Sequence, residues 1–122
     1  MSVQLVGQWL QDYGVEEFSG ACAFTYRDSI EFGLEVSTDE SHLVLHSVVG
    51  RVAEEEQAEI LHRLLRMNHL GVETQGATFS LDESGENIVL WISLPIDRLD
   101  PEEFERVVGA FLDLSDRLAG EL

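Results

Sequence analysis

The residues able to do chemistry are few, and their spacing keeps them apart. The single cysteine, Cys22, sits in a run of strand character beside Ala21, Ala23 and Phe24. That setting makes a core thiol, not an activated nucleophile. One cysteine excludes an internal disulfide and a zinc–thiolate cluster. His42 and His46 are four residues apart on a strand, so ~13 Å separates them and they cannot share a metal. His62 and His69 lie about two turns apart on a helix, again too far for one ion. The acidic stretch DESGE, Asp82 to Glu86, has three carboxylates but lacks the ligand register and closing Glu of a calcium loop. It reads as a solvated hairpin turn. The glycines form no phosphate-binding loop. No set of residues meets the geometry of acid–base or nucleophilic catalysis. The expectation is a protein without catalytic residues, metal or cofactor.

The elements that would position these residues are clear. Val3, Leu5, Val6, Trp9, Leu10 and Tyr13 have helical spacing, and Gly14 is placed to end that helix. Ala21–Asp28 and Ser29–Ser37 read as two strands. In the second, Ile30, Phe32, Leu34 and Val36 alternate with Glu31, Gly33 and Glu35. A third strand follows at 42–52, with an irregularity expected before Gly50. Residues 53–71 predict the strongest helix, with a stripe of Ile60, Leu61, Leu64, Leu65 and Asn68. Its acidic start (Glu54, Glu55, Glu56) and basic end (Arg63, Arg66, His69) match the helix dipole. A hairpin comes next, with Ile88, Leu90, Ile92 and Leu94 on the core face of its second strand. Asp100, Pro101 and Glu103 then form a capping-box start to a last helix. Its stripe is Phe104, Val107, Val108, Phe111, Leu114 and Leu118. The order is helix, three strands, helix, two strands, helix. This predicts one α+β domain over residues 1–122: a mostly antiparallel, twisted sheet with helices packed on it.

Charge bounds the partners. The 122 residues carry 24 Asp and Glu against seven basic residues, all Arg, for a net charge of -17. Such a surface repels nucleic acid and anionic membrane and attracts basic partners; it also maintains solubility. At 44% hydrophobic the chain can still bury a core. The N-terminus has no signal-peptide pattern, and no window is apolar enough to span a bilayer. A cytoplasmic protein is expected.

More apolar surface is present than one sheet face needs. Val89 and Trp91 oppose the core face of the last strand. Val44, His46 and Val48 oppose Leu43, Leu45 and Val49, while Phe24 and Tyr26 alternate with Ala23 and Thr25. Large apolar groups on an open sheet face mark an interface. Edge strands could also accept an extended peptide as an added strand.

The second half of the chain resembles the class I type III secretion chaperones, the Tir-chaperone family. The pattern is carried by Leu64-Leu65, Asn68, Gly76, Phe79, Leu81-Asp82, Gly85, Ile88, Leu90, Leu94-Pro95, Leu99-Asp100, Phe104 and Phe111. It covers roughly 60–118; the first half agrees in pattern only. The resemblance implies a non-enzymatic homodimer that binds the N-terminal segment of a secreted effector in extended form. It makes Leu5, Trp9, Phe24, Tyr26, Phe32, Leu34, Val44 and His46 effector-binding candidates. Leu61, Leu65 and Trp91 become dimer candidates. Arg63 and Arg66 join them if two second helices pair antiparallel, basic end to acidic start. Trp9, Phe32 and Leu34 read equally well as core residues. The alternative is a regulatory or sensory protein of the same fold that binds a folded partner.

Overall fold

The structure, a computed structural model, describes residues 2–122. Helix α1 (Ser2–Leu10) leads into a tight turn closed by Gly14, whose φ of 84° favours glycine. Strands β1 (Ala21–Tyr26), β2 (Ile30–Val36) and β3 (His42–Arg51) follow, then helix α2 (Gln57–Met67). Strands β4 (Thr78–Leu81) and β5 (Asn87–Pro95) and helix α3 (Pro101–Glu121) complete the chain. All strand pairs are antiparallel, in the order β1-β2-β3-β5-β4. The expected element order and α+β class are both observed.

Period-two patterning sets the two faces of the sheet. Ile30, Phe32 and Leu34, then Leu43 and Leu45, then Ile88 and Leu90, and Phe79 all point into the helix layer and are buried. Helix α3 lies over them with Phe104, Val108, Phe111, Leu114 and Leu118, and α1 contributes Val6, Trp9 and Leu10. One polar link crosses this interior. Ser47 and Ser115 are fully buried with their hydroxyls 2.8 Å apart, and Ser115 donates to the Phe111 carbonyl. The irregularity before Gly50 is a break in β3–β5 register between Val48 and Gly50.

Two local expectations are corrected. The second helix is not continuous from 53 to 71. It begins as a single tight turn at Glu54–Glu56, and its α-helical part ends at Met67. Leu70, with φ 57°, then bends the chain back so that Gly71 meets Gly76 backbone to backbone, where a Cβ would lie 3.3 Å from the Gly76 Cα. Buried Thr74 holds this reversal by donating its hydroxyl to the Ala77 carbonyl. Within α2, Met67, not Leu65, joins Leu64 in the core, and Leu65 is 71% exposed. The cap of α3 is also only half a box. Asp100 accepts from the Glu103 N–H at 2.8 Å, but the Glu103 carboxylate turns to Arg106.

Candidate functional site

The sequence candidates fall on three separate surfaces. The first lies on the helix side, where β1 meets the turn after α1 and the body of α3. Phe24 of β1 stacks on Phe32 of β2 with centroids 5.7 Å apart, and Phe32 meets Phe111 at 6.0 Å. Trp9 and Tyr13 approach Phe104 at 5.1 and 6.1 Å. Between these rings is an apolar cleft of ≈ 160 Å³, walled by Tyr13, Phe24, Tyr26, Phe104, Val108 and Leu112. A wider groove of ≈ 620 Å³ continues from Tyr13 and Phe104 toward Leu5 and Pro101. The cleft opens at β1, an outer strand of the sheet.

Of the eight effector-binding candidates, Leu5, Phe24 and Tyr26 line these depressions with partly open side chains. Trp9, Phe32 and Leu34 are core residues, at 8%, 4% and 0% exposure, so their substitution would test folding before binding. They form the floor because β2 is an inner strand and α1 lies against α3. Val44 and His46 are elsewhere, on the opposite face of the sheet. Tyr13, Val108 and Leu112 are not among the sequence candidates. Tyr13 and Val108 have the helical spacing of core residues and Leu112 lies outside its helix's stripe; only the meeting of three elements turns them into cleft walls.

The second surface is the open sheet face. Cross-strand pairing aligns Ala23, Gly33, His46, Trp91 and Thr78 in one row. Gly33 leaves room for the His46 ring: a Cβ there would fall 2.1 Å from it, so a larger residue would require the ring to move. His46 Nε2 is 3.4 Å from Glu35 Oε1. Val44, Val48, Val89 and Trp91 are half-buried around it. The position expected for Trp91, opposite the core face, is the one observed.

The third surface is the outer side of α2 and the reversal after it. Leu65, Leu70 and Val72 are 71%, 84% and 76% exposed, and Leu61 is half-buried beside them. Arg63 is already engaged, donating to the carbonyl of Glu121 at the end of α3. Arg66 stays exposed next to it.

Burial pushes the Cys22 thiol up, away from the reactive thiolate. His42 is tied to the Ser41 hydroxyl at the start of β3, on the strand that carries His46. Among the described residues no group of three or more His, Cys, Asp or Glu could hold a metal ion. No helix among them is long and apolar enough to cross a membrane.

The two ends of the sheet differ in their hydrogen bonding. In antiparallel pairs, alternate residues bond inward and outward. Val36 N–H donates to the Gly20 carbonyl, which puts Cys22, Phe24 and Tyr26 in the inward-bonded set with β2. Ala21, Ala23 and Thr25 therefore point their backbone groups outward, and among the described residues nothing bonds to them there. At the other edge, Asn68 accepts from the Phe79 N–H at 2.7 Å and donates to the Phe79 carbonyl at 3.1 Å. Its amide takes the place of a neighbouring strand.

The sequence itself, set against known families, matches one over nearly the whole chain. The Tir chaperone protein (CesT) family matches residues 4–119. The chain belongs to that family. No curated protein sequence matches it. Among solved structures, this CesT-family chain superposes on a chain of the ExsC–ExsE complex with a TM-score of 0.76 at 18% identity, covering 95% of this chain and 89% of that one. It is also similar to a chain of the heterodimeric ExoU–SpcU complex from the type III secretion system of Pseudomonas aeruginosa (TM-score 0.70, 18% identity, 96% and 97% covered). A third similar structure is the Yersinia pestis type III secretion chaperone SycH in complex with a stable fragment of YscM2 (TM-score 0.66, 20% identity, 97% and 99% covered). At these identities the likeness establishes the fold of this CesT-family chain, including its five-stranded antiparallel sheet.

Proposed function

We propose that this protein is a type III secretion chaperone, non-enzymatic and cytoplasmic, that holds the N-terminal segment of a secreted effector in extended form. The reading rests on family membership and on one observation above all. The outer edge of β1 is unpaired and runs along an aromatic cleft. An extended segment laid there gains backbone hydrogen bonds to Ala21, Ala23 and Thr25 while its alternate side chains enter the cleft. Phe24 and Tyr26 are the side chains that meet it; Phe32 and Leu34 support them from below. The partner proteins named in the similar complexes fit the same role.

The exposed apolar side of α2 is assigned to self-association. Leu61 and Leu65, with Leu70 and Val72, give a second copy a surface to cover, and Arg66 lies at its border. Trp91 belongs to the open sheet face, where a subunit or the far end of a wrapped client covers it together with Val44 and His46.

Co-expression with the product of the adjacent reading frame tests the reading. The expected result is co-purification with that protein's N-terminal segment alone, and a mass by light scattering of two chaperone chains. Recovery only with a folded C-terminal domain would instead favour a regulatory protein of the same fold.

A further inference from the structure

The wider groove next to the aromatic cleft has a chemical character of its own. Its floor is aromatic and apolar: Trp9, Tyr13 and Phe104 with Leu5 and Pro101. Its rim is acidic. Asp12 stands beside Tyr13, and Glu105 follows Phe104 on α3. Asp100 also lines it, although that carboxylate is committed to capping α3. No Arg lines the groove. The field of Glu105 and Asp12 reaches the floor: beyond the effect of burial, both raise the pKa of the Tyr13 phenol. Aromatic faces attract cations through their quadrupole, and flanking carboxylates add to that attraction. An apolar floor alone would accept any large side chain. This floor with this rim prefers an Arg or Lys, whose stem covers apolar surface while its charged end reaches the carboxylates.

We propose that the groove between α1 and the start of α3 selects a basic side chain of the client segment, placing its cation between Asp12 and Glu105 over the Tyr13 and Trp9 rings. The proposal rests on the chaperone reading and deepens it by naming the chemistry of the partner. The aromatic cleft shares Tyr13 and Phe104 with the groove. A bound segment therefore presents a large apolar residue to the cleft and an Arg or Lys, close by in its sequence, to the groove.

The test is selection from a displayed library of random peptides, each about a dozen residues long, at low ionic strength. Three proteins are used: the wild type, the Asp12→Asn/Glu105→Gln variant, and a Glu54→Gln/Glu55→Gln variant. Both variants lose the same charge, the second at a turn outside the groove. Asp12 and Glu105 are exposed, so their substitution leaves the core intact. Wild type and the distant variant are expected to enrich Arg or Lys beside a large apolar residue about tenfold over the groove variant, whose peptides keep only the apolar residue. Equal basic enrichment in all three would overturn the proposal and assign it to overall charge. Apolar peptides without basic enrichment in the wild type would also overturn it, leaving the chaperone reading intact. Peptides retained by none of the three would overturn the chaperone reading itself. A drop in light-scattering mass for the groove variant alone would overturn it in favour of a second copy of this chain as the occupant.

Discussion

The two edge strands of the sheet are finished in opposite ways. At β4 the outward N–H and C=O of Phe79 are both taken by the amide of Asn68, reaching across from the end of α2. The strand is also short, which limits pairing with a further chain. At β1, among the described residues, nothing hydrogen-bonds to the outward groups of Ala21, Ala23 and Thr25, and an aromatic cleft borders them. An unpaired strand edge is a general hazard that proteins block by charge, proline or cover. Here one edge is blocked by a dedicated side chain and the other is left accessible. On the function proposed above, the difference separates a structural edge from an edge left for a client, and it can be tested at each side independently.

The largest effect is expected at the closed edge. Asn68→Ala leaves two partly buried backbone groups without partners, at a cost of about 3 kcal/mol in urea denaturation. Amide exchange at Phe79 should accelerate more than at Leu90, its partner on β5. Asn68→Asp restores the acceptor for the Phe79 N–H but sets a carboxylate against the Phe79 carbonyl, so it should recover little. A loss near zero for both variants would mean that Asn68 is only a surface residue and that β4 closes by itself.

At the open edge the expected change is in binding. Ala23→Pro removes an outward N–H while keeping the inward bonds of Cys22 and Phe24 to β2, and proline is tolerated on edge strands. Stability should change little, whereas affinity for a client segment should fall roughly tenfold, the worth of one or two hydrogen bonds. Calorimetry with the co-purified segment reads this directly. An unchanged affinity would mean that the client uses the cleft through side chains only and adds no strand to the sheet.

Much of this contrast was hidden from the sequence, for a physical reason. Helical and strand periodicity report which residues face inward within one element. They gave the element order, the core faces of β2 and β5, the bulge before Gly50 and the Asp100 cap. They do not report which strand ends up at an edge. Phe24 and Phe32 have the same kind of alternation, yet pairing order makes one a cleft wall and the other its floor. Val44 and His46 look like Phe24 by pattern and lie on the opposite face. Asn68 read as the polar end of a helical stripe. Its role depends on the turn at Leu70, where a non-glycine residue adopts a left-handed conformation that no local pattern announces. Leu65 sits at core spacing too, but the helix presents Met67 inward instead, which leaves Leu65 exposed.

The smallest effect concerns the hairpin that holds the closed edge in register. Asp82, at the end of β4, accepts from the Ser84 hydroxyl and from the Asn87 backbone and side chain, closing the turn into β5. These bonds, Asn87's first, lower its pKa from 3.8 to about 2. A carboxylate with a depressed folded-state pKa contributes stability that is fully present above its unfolded value. The contribution is lost as pH falls from near 4 toward 2. The whole-protein response does not show this directly, because protonating a surface of charge -17 also relieves repulsion and works in the opposite direction. The stability difference between wild type and Asp82→Asn cancels most of that shared background. It should be flat at neutral pH and shrink below pH ~4. Asp39, in the β2–β3 turn, is likewise held at about 2 by Ser41 and Ser37. Its Asn variant should give the same pH profile without changing amide exchange in β4. Matching β4 exchange in the two variants would show that the Asp82 turn does not set the closed edge, leaving Asn68 to hold it alone.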